Sequence, residues 1–498
     1  MLHGEKYVAF DLGAESGRVM LGTLDEGHFA LQEVSRFANR PVQVLDGLHW
    51  DVLRLWQEML DGLARTVAGH GSDLSGIGLD TWGVDYALLD HQGALLGLPY
   101  HYRDKRTEGI EEELYRHYSE WDLYSRTGMA FAPHNTLCQL LAMRRQGSPA
   151  LDVAHSLLMM PALFNYWLCG RQANETTIAG TTQFHDLWAH GWSREILEKV
   201  QLPSSIPAEI VPAGTVLGPL LPAVAQEVGL GGVRGGVSII APACHDTPAA
   251  AAVVPSQEAH ATFISSGTWS VVGTELEEPL VTPEGLARQF VVETAACGRL
   301  ILVHNSMGLW PVQECRREWL QGGHDWSYAD LAEMAAQARP FAAIVDPDNM
   351  AFFQPGAMTA QVRDYCRQTG QDPPSDPASM TRTLLEGLAL RYRRAIEDLE
   401  HLTRWPARTI HIVGGGSRNA LLCQLTADAT QRPVLAGPAE ATSTATVLLQ
   451  ALARGRLSSL GEVREIVAGS CSIAPYEPQP SPAWDEAYGE FMQVTQQR

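Results

Sequence analysis

The sequence predicts an α/β protein in which one fold is duplicated. Apolar runs typical of strands alternate with amphipathic helical patterns along the chain, which favours sheets covered by helices. Two strand–turn–strand segments of the same design, at residues 7–24 and 261–272, lie about half a chain apart. A chain of 498 residues is also too long for one ordinary domain. We therefore expect two related domains.

The composition is that of an acidic globular protein. Hydrophobic residues make up 45% of the chain, charged residues make up 19%, and the formal net charge is −21. Such a surface repels nucleic acid and anionic membranes, so neither is an expected partner. An anionic ligand such as ATP would have to be bound by local backbone amides, helix N-termini or cations.

The cysteines and the N-terminus indicate a cytoplasmic protein. The eight cysteines are scattered without a C-x-x-C pair, which suits a reducing compartment and argues against a disulfide framework or a zinc knuckle. The opening MLHGEK lacks the apolar region of a secretory signal. The longest apolar stretch, 157–169, is interrupted by Pro161 and Asn165 and is too short for a membrane span.

The first hairpin has features of an anion-binding loop. The apolar run Tyr7–Leu12 turns through Gly13–Gly17 and continues as Val19–Leu24. The glycines let backbone amides approach an anion, and Arg18 offers a planar cation suited to phosphate. Asp11 has no obvious neighbour to neutralise it and could hold Mg²⁺ through water. An ordinary hairpin with an exposed arginine stays open as the alternative, because short glycine motifs are common.

The second hairpin repeats this design with hydroxyl groups in place of charge. Ala261–Ile264 leads into Ser265–Thr268 and then into Trp269–Val272. A serine-rich turn without a ligand is the alternative for this segment alone. The presence of two matched loops favours a nucleoside triphosphate bound by both.

Between and beyond the hairpins the chain predicts further strands and domain limits. Ile77–Leu79 and Tyr86–Asp90 are predicted strands. A Pro- and Gly-rich stretch, Leu202–Gly236, precedes a domain boundary near Pro242. We expect an N-terminal domain over 1–242, a C-terminal domain over 243–455 and an extension over 456–498 that ends in the helix Asp485–Gln496.

A third glycine-rich turn follows a predicted helix and strand. Ser379–His401 has apolar residues at helical spacing, and the strand Thr409–Val413 then leads into Gly414–Gly416. Three glycines allow close approach of a flat or phosphorylated ligand, and Asn419 is placed to start the next helix. The turn is not a dinucleotide fingerprint, because position 419 is not glycine, and no Walker A sequence occurs in the chain.

The segment CHDT (244–247) supplies a candidate general base. Asp246 could accept a proton from a substrate hydroxyl, and phosphoryl transfer needs little more than such a base, positioning and charge neutralisation. Asp246 could also cap a helix that begins at Thr247 or Pro248, and the two roles are compatible. The chain has neither an H-E-x-x-H zinc motif nor a G-x-S-x-G hydrolase elbow.

Together these segments resemble the FGGY carbohydrate kinases and, within that family, the rhamnulokinases. The likeness is carried in order along the chain by FDLGAESGR (10–18), LDTWGVDYALLD (79–90), YRDKRT (102–107), LMMPALFNYWLCG (158–170), CHDT (244–247), SSGTWS (265–270), NSMGLW (305–310), IVGGGSRN (412–419) and GPAEAT (437–442). DTWGVD, HDT and NxMGLW are typical of rhamnulokinase-like members. The glycine loops indicate only the wider superfamily.

The resemblance implies a duplicated actin/hexokinase-type (ribonuclease H-like) fold with two lobes around a central cleft. It also implies MgATP as the phosphoryl donor and the C1 hydroxyl of a small ketose such as L-rhamnulose as the acceptor. The implied ATP contacts are Ala14, Glu15, Ser16, Gly17, Arg18, Thr268, Gln313 and Gly415. The implied ketose contacts are Gly83, His245, Asp246, Thr247 and Asn305, with Asp246 as the proton acceptor. Asp11 resembles the carboxylate near the metal.

Two places depart from the family pattern. Glu15 stands where a small hydroxyl residue is usual, and its carboxylate would repel phosphates, so only its backbone amide is expected to contact ATP. Ala445 and Thr446 stand near the implied adenine site, where a glycine and a polar amide residue are common. This second change would reshape nucleotide binding.

Three other functions stay open from the sequence. The first is an FGGY kinase for fuculose, xylulose or ribulose. The second is a non-catalytic nucleotide-binding protein of the actin superfamily, which has no need for a base beside a sugar. The third is an NAD-dependent dehydrogenase, which the absent dinucleotide fingerprint disfavours. The residues leave the oligomeric state open.

Overall fold

The chain forms two compact units, each built from separated stretches of sequence. The structure is a computed structural model that describes residues 4–233 and 235–496. Unit 1 comprises the residues up to Val253 together with Leu276–Leu302 and Thr442–Ser470. Unit 2 comprises Val254–Glu275, Val303–Ala441 and the residues from Cys471 onward.

The main sheet of unit 1 begins with the first predicted hairpin. Its strands are β1 (Glu5–Leu12), β2 (Ser16–Asp25), β3 (His28–Ala38), β4 (Leu74–Thr81), β5 (Thr215–Pro219) and β6 (Ser238–Ala241), in the order β5-β6-β4-β1-β2-β3. β1 runs antiparallel to β2 and parallel to β4. This register places Asp11 opposite Arg18 on one side and Asp80 on the other.

The main sheet of unit 2 repeats that plan. Six of its seven strands are β7 (Thr262–Ser266), β8 (Ser270–Leu276), β9 (Leu300–Ser306), β10 (Ile410–Val413), β11 (Val434–Ala436) and β12 (Ala474–Tyr476), in the order β9-β8-β7-β10-β11-β12. β7 is antiparallel to β8 and parallel to β10, and β11 and β12 form an antiparallel pair, as β5 and β6 do. The predicted α/β duplication is confirmed by this shared strand order.

The remaining elements cover the sheets. Unit 1 adds short strands at Val42–Val44, Gly47–His49, Tyr86–Leu89, Ser156–Met159, Ala173–Glu175, His185–Asp186, Gly191–Trp192, Glu209–Val211 and Phe290–Thr294. Its helices are Val52–His70, Lys105–Thr107, Glu111–Leu114, Glu120–Thr127, Thr136–Arg145, Pro149–Val153, Met160–Cys169, Thr176–Ala179, Gly180–Thr182, Arg194–Lys199, Pro222–Glu227, Asp246–Ala252, Pro283–Ala287, Ala296–Gly298, Ala441–Ala453 and Leu460–Ser470. The helices of unit 2 are Trp310–Gln321, Tyr328–Gln337, Met350–Phe352, Met358–Gln368, Pro377–Thr403, Gly415–Arg418, Ala420–Thr430 and Pro482–Gln496.

The spacing of apolar residues in the sequence correctly predicts the buried face of the long helix Pro377–Thr403. Its predicted apolar residues are all in the core of the unit or buried beside it: Leu385, Leu388, Tyr392, Ile396 and Leu399. The helix starts where Asp376 accepts a hydrogen bond from the Ser379 backbone, and a proline in the first turn fits because its missing N–H has no helical partner there.

Other local predictions also agree with the structure. The strand predicted at Ile77–Leu79 lies inside β4, and that at Tyr86–Asp90 ends one residue earlier, at Leu89. Asn419 caps the helix Ala420–Thr430 by accepting from the Leu422 backbone N–H at 3.0 Å. The eight cysteines are all free thiols.

The domain limits and the cellular location stay predictions. The domain limits at 1–242, 243–455 and 456–498 stay a prediction, although the structure assigns 456–470 to unit 1 and 471 onward to unit 2. The cytoplasmic location also stays a prediction. Within residues 4–233 and 235–496, no helix combines the length and apolar character needed to cross a membrane.

Candidate active site

Asp11, at the end of β1, is held in an ion pair. Arg18 on β2 donates from Nη2 to Asp11 Oδ2 at 2.7 Å, and the Ser443 hydroxyl donates to the same oxygen. The sequence expectation that Asp11 has no neutralising neighbour is therefore wrong. The antiparallel register brings Arg18 beside it, and the helix Ala441–Ala453 supplies Ser443 from far along the chain.

The turn of the first hairpin has Ala14 and Glu15 at its tip. Gly13 donates its N–H to the Ser16 carbonyl at 3.0 Å, which leaves Ala14 and Glu15 at the apex. Asn39 braces the turn, because its backbone N–H donates to the Glu15 carbonyl at 2.9 Å and its amide donates to the Gly13 carbonyl at 2.9 Å. Glu15 itself is exposed.

Gly17 completes the predicted loop for a packing reason. A Cβ at this position would lie 2.2 Å from the ring of Phe37 on β3, so only glycine fits there without moving the aromatic ring. The sequence pattern identifies the glycine, but not the ring that requires it.

Asp80 ends β4 directly beside Asp11. It is buried, and the Thr446 hydroxyl donates to its Oδ2 at 2.6 Å. Its other carboxylate oxygen has no hydrogen-bond partner among the residues that the structure describes. Burial, and then the charge of Asp11, raise the pKa of Asp80 well above its usual value. The hydroxyl of Thr446 is thus committed to this carboxyl inside unit 1.

A strained turn follows β4 at Gly83-Val84-Asp85. Asp85 donates its N–H to the Gly83 carbonyl at 2.9 Å, which closes a three-residue γ-turn around Val84. Val84 has φ of 67°, a backbone region that a β-branched residue rarely adopts. The hydroxyl of Thr181 accepts from the Val84 N–H at 3.0 Å, and Thr136 donates to its carbonyl at 2.6 Å. Strain of this kind persists where the surroundings fix the backbone, commonly at functional sites.

The carboxylate of Asp85 anchors that turn in the core. It accepts hydrogen bonds from the indole of Trp50 at 2.6 Å, the indole of Trp82 at 2.9 Å and the amide of Gln139 at 2.8 Å. Burial raises the pKa of Asp85 to about 6, even though these donors and the nearby Arg106 favour the charged form. The local sequence pattern does not predict this cluster, because only Trp82 is near Asp85 in the chain, whereas Trp50 and Gln139 come from distant segments.

The segment CHDT is joined to the end of β4 through the backbone. Thr81 donates its N–H to the Cys244 carbonyl at 2.9 Å. A Cβ on Gly83 would lie 3.1 Å from His245 Nε2, so the glycine lets the imidazole approach the turn. The structure therefore brings together Asp11, Asp80, Gly83, His245 and Asp246 within unit 1.

Asp246 presents a partly open carboxylate. The helix Asp246–Ala252 begins at Asp246 itself and His245 occupies the N-cap position, so Asp246 is not the residue before the helix that the capping alternative requires. The Thr247 hydroxyl and His245 Nε2 each lie 3.3 Å from Asp246 Oδ1. The side chain stays 44% exposed. Desolvation raises the pKa of Asp246, although His245 opposes the rise, and a raised pKa makes a carboxylate a stronger base.

Glu175 supports the backbone that carries His245 and Asp246. Its buried carboxylate accepts from the Thr177 N–H at 2.8 Å, from the Thr177 hydroxyl at 2.6 Å and from the Cys244 N–H at 2.9 Å. The Thr177 hydroxyl in turn accepts from the His245 N–H at 3.1 Å. Desolvation raises the pKa of Glu175 to about 7. Sequence reasoning missed Glu175, because no motif marks it.

In unit 2 the second hairpin packs against the glycine-rich turn after β10. A Cβ on Gly416 would lie 2.0 Å from the Ser266 hydroxyl, whereas a Cβ on Gly415 would meet nothing within 4 Å. Gly414 has φ of 83°, and a Cβ there would lie 3.0 Å from the Ser266 carbonyl. Gly415 is thus the exposed glycine of the three, as an approaching ligand would require.

The helix Trp310–Gln321 starts against the same hairpin. Leu309 and Trp310 donate their N–H groups to the carbonyls of Gly267 at 3.0 Å and Thr268 at 3.1 Å. Gln313 is in this helix, and its side-chain oxygen is buried without a hydrogen-bond partner in the described part of the chain. Such an unpaired acceptor needs a donor, which a ligand can provide.

Tyr392 of the long helix Pro377–Thr403 also contacts the second hairpin. Its hydroxyl lies 2.6 Å from the Ser270 hydroxyl and 3.3 Å from that of Ser266. Asn305, the predicted sugar contact of unit 2, is exposed near the end of β9. The structure thus brings together Thr268, Gln313 and Gly415 around one hairpin, and places the predicted residues 11–18, 83 and 245–247 in unit 1.

The side chains that commonly bind metal ions do not form a metal-binding cluster in the described part of the chain. Among residues 4–233 and 235–496, no group of three or more His, Cys, Asp or Glu side chains is placed to hold a metal ion.

The chain matches protein-family models over both halves. Residues 6–252 match the N-terminal domain of the FGGY family of carbohydrate kinases, and residues 262–454 match its C-terminal domain. A rhamnulokinase from Bacteroides thetaiotaomicron is 38% identical over 98% of this chain and 99% of its own length. A rhamnulokinase from Bacillus subtilis is 34% identical over 95% of each chain.

Solved structures share the fold at much lower identity. A gluconate kinase from Lactobacillus acidophilus superposes with a TM-score of 0.80 at 16% identity, covering 99% of this chain and 98% of the other. A glycerol kinase with ADP from Plasmodium falciparum gives a TM-score of 0.77 at 12% identity, with 99% and 98% coverage. These likenesses bear on the fold alone, and agree with the duplicated actin/hexokinase-type architecture. With family models matched along both halves and close relatives over nearly its whole length, the chain belongs to the FGGY family of carbohydrate kinases.

Proposed function

We propose that the chain transfers the terminal phosphoryl group of ATP to the C1 hydroxyl of L-rhamnulose, giving L-rhamnulose 1-phosphate and ADP. The observation that carries this proposal is the 38% identity to a rhamnulokinase over nearly the whole of both chains. Related sugar kinases share the fold at 15–16% identity, so the fold by itself leaves the sugar open, and the closer likeness selects it.

Asp246 acts as the general base in this proposal. Its half-open carboxylate lies beside the Gly83 turn and is held by His245 and Thr247, so a sugar hydroxyl can reach it. It accepts the hydroxyl proton as the oxygen attacks the γ-phosphorus in line and ADP leaves. The proposed ketose contacts are Gly83, His245, Asp246, Thr247 and Asn305.

The proposed ATP contacts are the backbone amides of the first hairpin and polar groups of unit 2. They comprise Ala14, Glu15, Ser16, Gly17, Arg18, Thr268, Gln313 and Gly415. The exposed turn at Ala14 and Glu15, the open face of Gly415 and the unpaired Gln313 oxygen support this set. Because Arg18 is paired with Asp11, it contributes to phosphate binding as part of that pair.

Mg²⁺ fits this site as a companion of ATP. Mg²⁺ typically keeps several waters and uses only one or two carboxylates together with substrate phosphates, and Asp11 and Asp80 end neighbouring strands side by side. Asp11 would hold it through water, because its Oδ2 is already used by Arg18 and Ser443. When bound, the ion neutralises charge on the phosphates. We also infer a cytoplasmic location, where ATP is present and the eight free thiols would stay reduced.

Replacing the base tests the mechanism. Asp246→Asn keeps the shape of the side chain but not its basicity, so kcat should fall by roughly 10²–10⁴-fold while ATP binding is retained. Asp61→Asn, an exposed aspartate on the helix Val52–His70, is the matched control and should keep parental kcat. Steady-state kinetics and nucleotide-binding calorimetry measure both. Near-parental turnover by Asp246→Asn would remove Asp246 from this role.

A panel of sugars tests the substrate. ADP release should be fastest by kcat/KM with L-rhamnulose and slower with fuculose, xylulose and ribulose. A higher kcat/KM for one of those three would assign the chain to another ketose within the family. Nucleotide binding without sugar-dependent ADP release would instead indicate a protein of the non-catalytic class.

A further inference from the structure

A buried glutamate lies directly behind the histidine that contacts the proposed base. Glu293, on the strand Phe290–Thr294, is only 4% exposed. Its Oε2 lies 3.2 Å from His245 Nδ1, and His245 Nε2 lies 3.3 Å from Asp246 Oδ1. The three side chains therefore form a carboxylate–imidazole–carboxylate series that ends at the half-exposed Asp246.

The facing atoms of Glu293 and His245 are enclosed in the protein. His245 Nδ1 and Glu293 Oε2 are both buried, and neither makes an aligned hydrogen bond to any other group in residues 4–233 and 235–496. The two atoms lie 3.2 Å apart, so each can serve as the polar partner of the other. Removal of one partner would leave the other buried without compensation, which is a costly arrangement.

The backbone of His245 is fixed independently of its ring. Its N–H donates to Thr177, and the Cys244 N–H donates to Glu175. The Gly83 backbone limits the ring on its Nε2 side, since a Cβ there would be 3.1 Å away. The orientation and protonation of the imidazole are then the properties that Glu293 can still determine.

Charged groups from each neighbouring segment act on this histidine and on Asp246. Burial by itself lowers the pKa of His245, but Glu293, Asp246 and Glu175 outweigh it and the pKa is raised. For Asp246, the His245 cation lowers the pKa, whereas Asp11 and Glu293 raise it. A protonated His245 thus partly offsets the effect of burial on the base.

We propose that Glu293 is a positioning residue for phosphoryl transfer: it holds His245 with Nε2–H directed at Asp246, so that the base is ionised and oriented. The role rests on the proposed function of Asp246. It differs from a direct substrate contact, because Glu293 acts only through His245. A carboxylate that orients and charges an imidazole is a general device in proteins.

The first test observes His245 without turnover. Glu293→Gln removes the charge but keeps the side-chain size, so the ¹⁵N-NMR pKa of the His245 ring should fall by about one unit or more. Its resonance is assigned by its loss in His245→Gln. Glu113→Gln, which removes a carboxylate paired with Arg144 elsewhere in unit 1, is the matched control and should leave that pKa unchanged. An unchanged pKa in Glu293→Gln would overturn the proposal, whatever reaction the protein catalyses.

The second test measures the pH profile of kcat/KM. Loss of the Glu293 charge by itself would lower the pKa of Asp246, but the His245 cation acts on Asp246 more strongly than Glu293 does. With less positive charge on His245, Asp246 therefore ionises less readily, and the acid limb of Glu293→Gln should move to higher pH. KM for ATP should stay within about twofold of the parent, and Glu293→Asp, which keeps the charge, should restore part of the shift. A fall in kcat of the same size at every pH would indicate a purely structural role and would contradict the proposal. If no ketose supports turnover in the parent, the proposed function fails while the NMR result still stands or falls by itself.

Discussion

Glu175 shows how a buried carboxyl can tie the stability of the protein to pH. Its pKa is raised from 4.5 to about 7 by burial, so the folded protein binds a proton more tightly than the unfolded chain does. Between these two values the folded state carries more protons, and the free energy of unfolding falls as pH rises. The stabilising contribution is complete below pH 4.5 and is lost as pH rises through about 7.

This predicts a weaker pH dependence in Glu175→Gln. The shift corresponds to roughly 3 kcal/mol between the two limits, since one pKa unit equals about 1.4 kcal/mol. We expect the parent to lose more unfolding free energy between pH 5 and pH 8 than the variant does, as measured by urea unfolding at both pH values. Glu209→Gln, a carboxylate that is 56% exposed and paired with Arg171, should behave like the parent. Equal losses in the parent and Glu175→Gln would exclude Glu175 as the titrating group.

Single residues are where sequence reasoning reached its limit. Asp246 could be selected from the sequence because HDT is a short and specific motif. Glu293, Glu175 and Asn39 could not be selected in this way, because each contacts a segment at least 24 residues away. The residues next to each of them have the pattern of an ordinary strand. Pairings of this kind depend on strand register, which hydrophobic spacing alone does not specify. The roles assigned to individual residues remain predictions.

The glycine-rich turn after β10 combines a packing requirement with an open face. Gly416 and Gly415 are adjacent, and neither has a positive φ. A Cβ on Gly416 would lie 2.0 Å from the Ser266 hydroxyl, so this position matters for packing. A Cβ on Gly415 would meet no atom within 4 Å, so this position is open to a ligand.

An alanine at Gly416 should affect stability, whereas an alanine at Gly415 should affect ATP binding. Gly416→Ala should lower the free energy of unfolding by about 1–3 kcal/mol, because the second hairpin has to move. Gly415→Ala should leave stability close to that of the parent but raise KM for ATP several-fold. Chemical denaturation and kinetics on the same preparations measure both. Similar loss of stability in both variants would show that the turn does not discriminate between these positions.

The long helix Pro377–Thr403 supports the same hairpin through one hydroxyl. Tyr392→Phe removes the hydrogen bonds to Ser270 and Ser266 and leaves buried hydroxyls with fewer partners. We expect a loss of roughly 1–3 kcal/mol in unfolding free energy. Tyr328→Phe, on an exposed tyrosine of the helix Tyr328–Gln337, is the control and should be nearly neutral. A Tyr392→Phe variant as stable as this control would show that the hydroxyl is not needed to hold the turn.

Across the whole molecule, the duplicated fold was the most predictable property. Both hairpins could be located because an apolar run stops at glycine or serine and resumes at once. The assignment of 456–470 to unit 1 could not be predicted, because it depends on long-range contacts such as that of Ser470 Oγ with the Phe29 N–H at 3.1 Å. Local sequence patterns predict elements well, but they do not predict which distant elements pack together.

The two units should therefore depend on the last part of the chain. A protein ending at Gly455 lacks β12 and the buried side chains of Trp484 and Phe491 in unit 2, and the helix Leu460–Ser470 in unit 1. We expect such a chain to lose cooperative unfolding, as measured by circular dichroism on heating. A truncated protein that melts at the parental Tm would contradict this expectation and would favour residues 456–498 as a separable extension.

The interleaved path of the chain also has a consequence for synthesis on the ribosome. Unit 1 needs Thr442–Ser470 to be complete, so its first 253 residues emerge long before the segment that finishes it has been translated. Apolar surface on the nascent chain then stays exposed until residues 442–470 have been translated, and aggregation competes with folding during this interval. Chaperones that bind nascent chains would therefore act mainly during this interval.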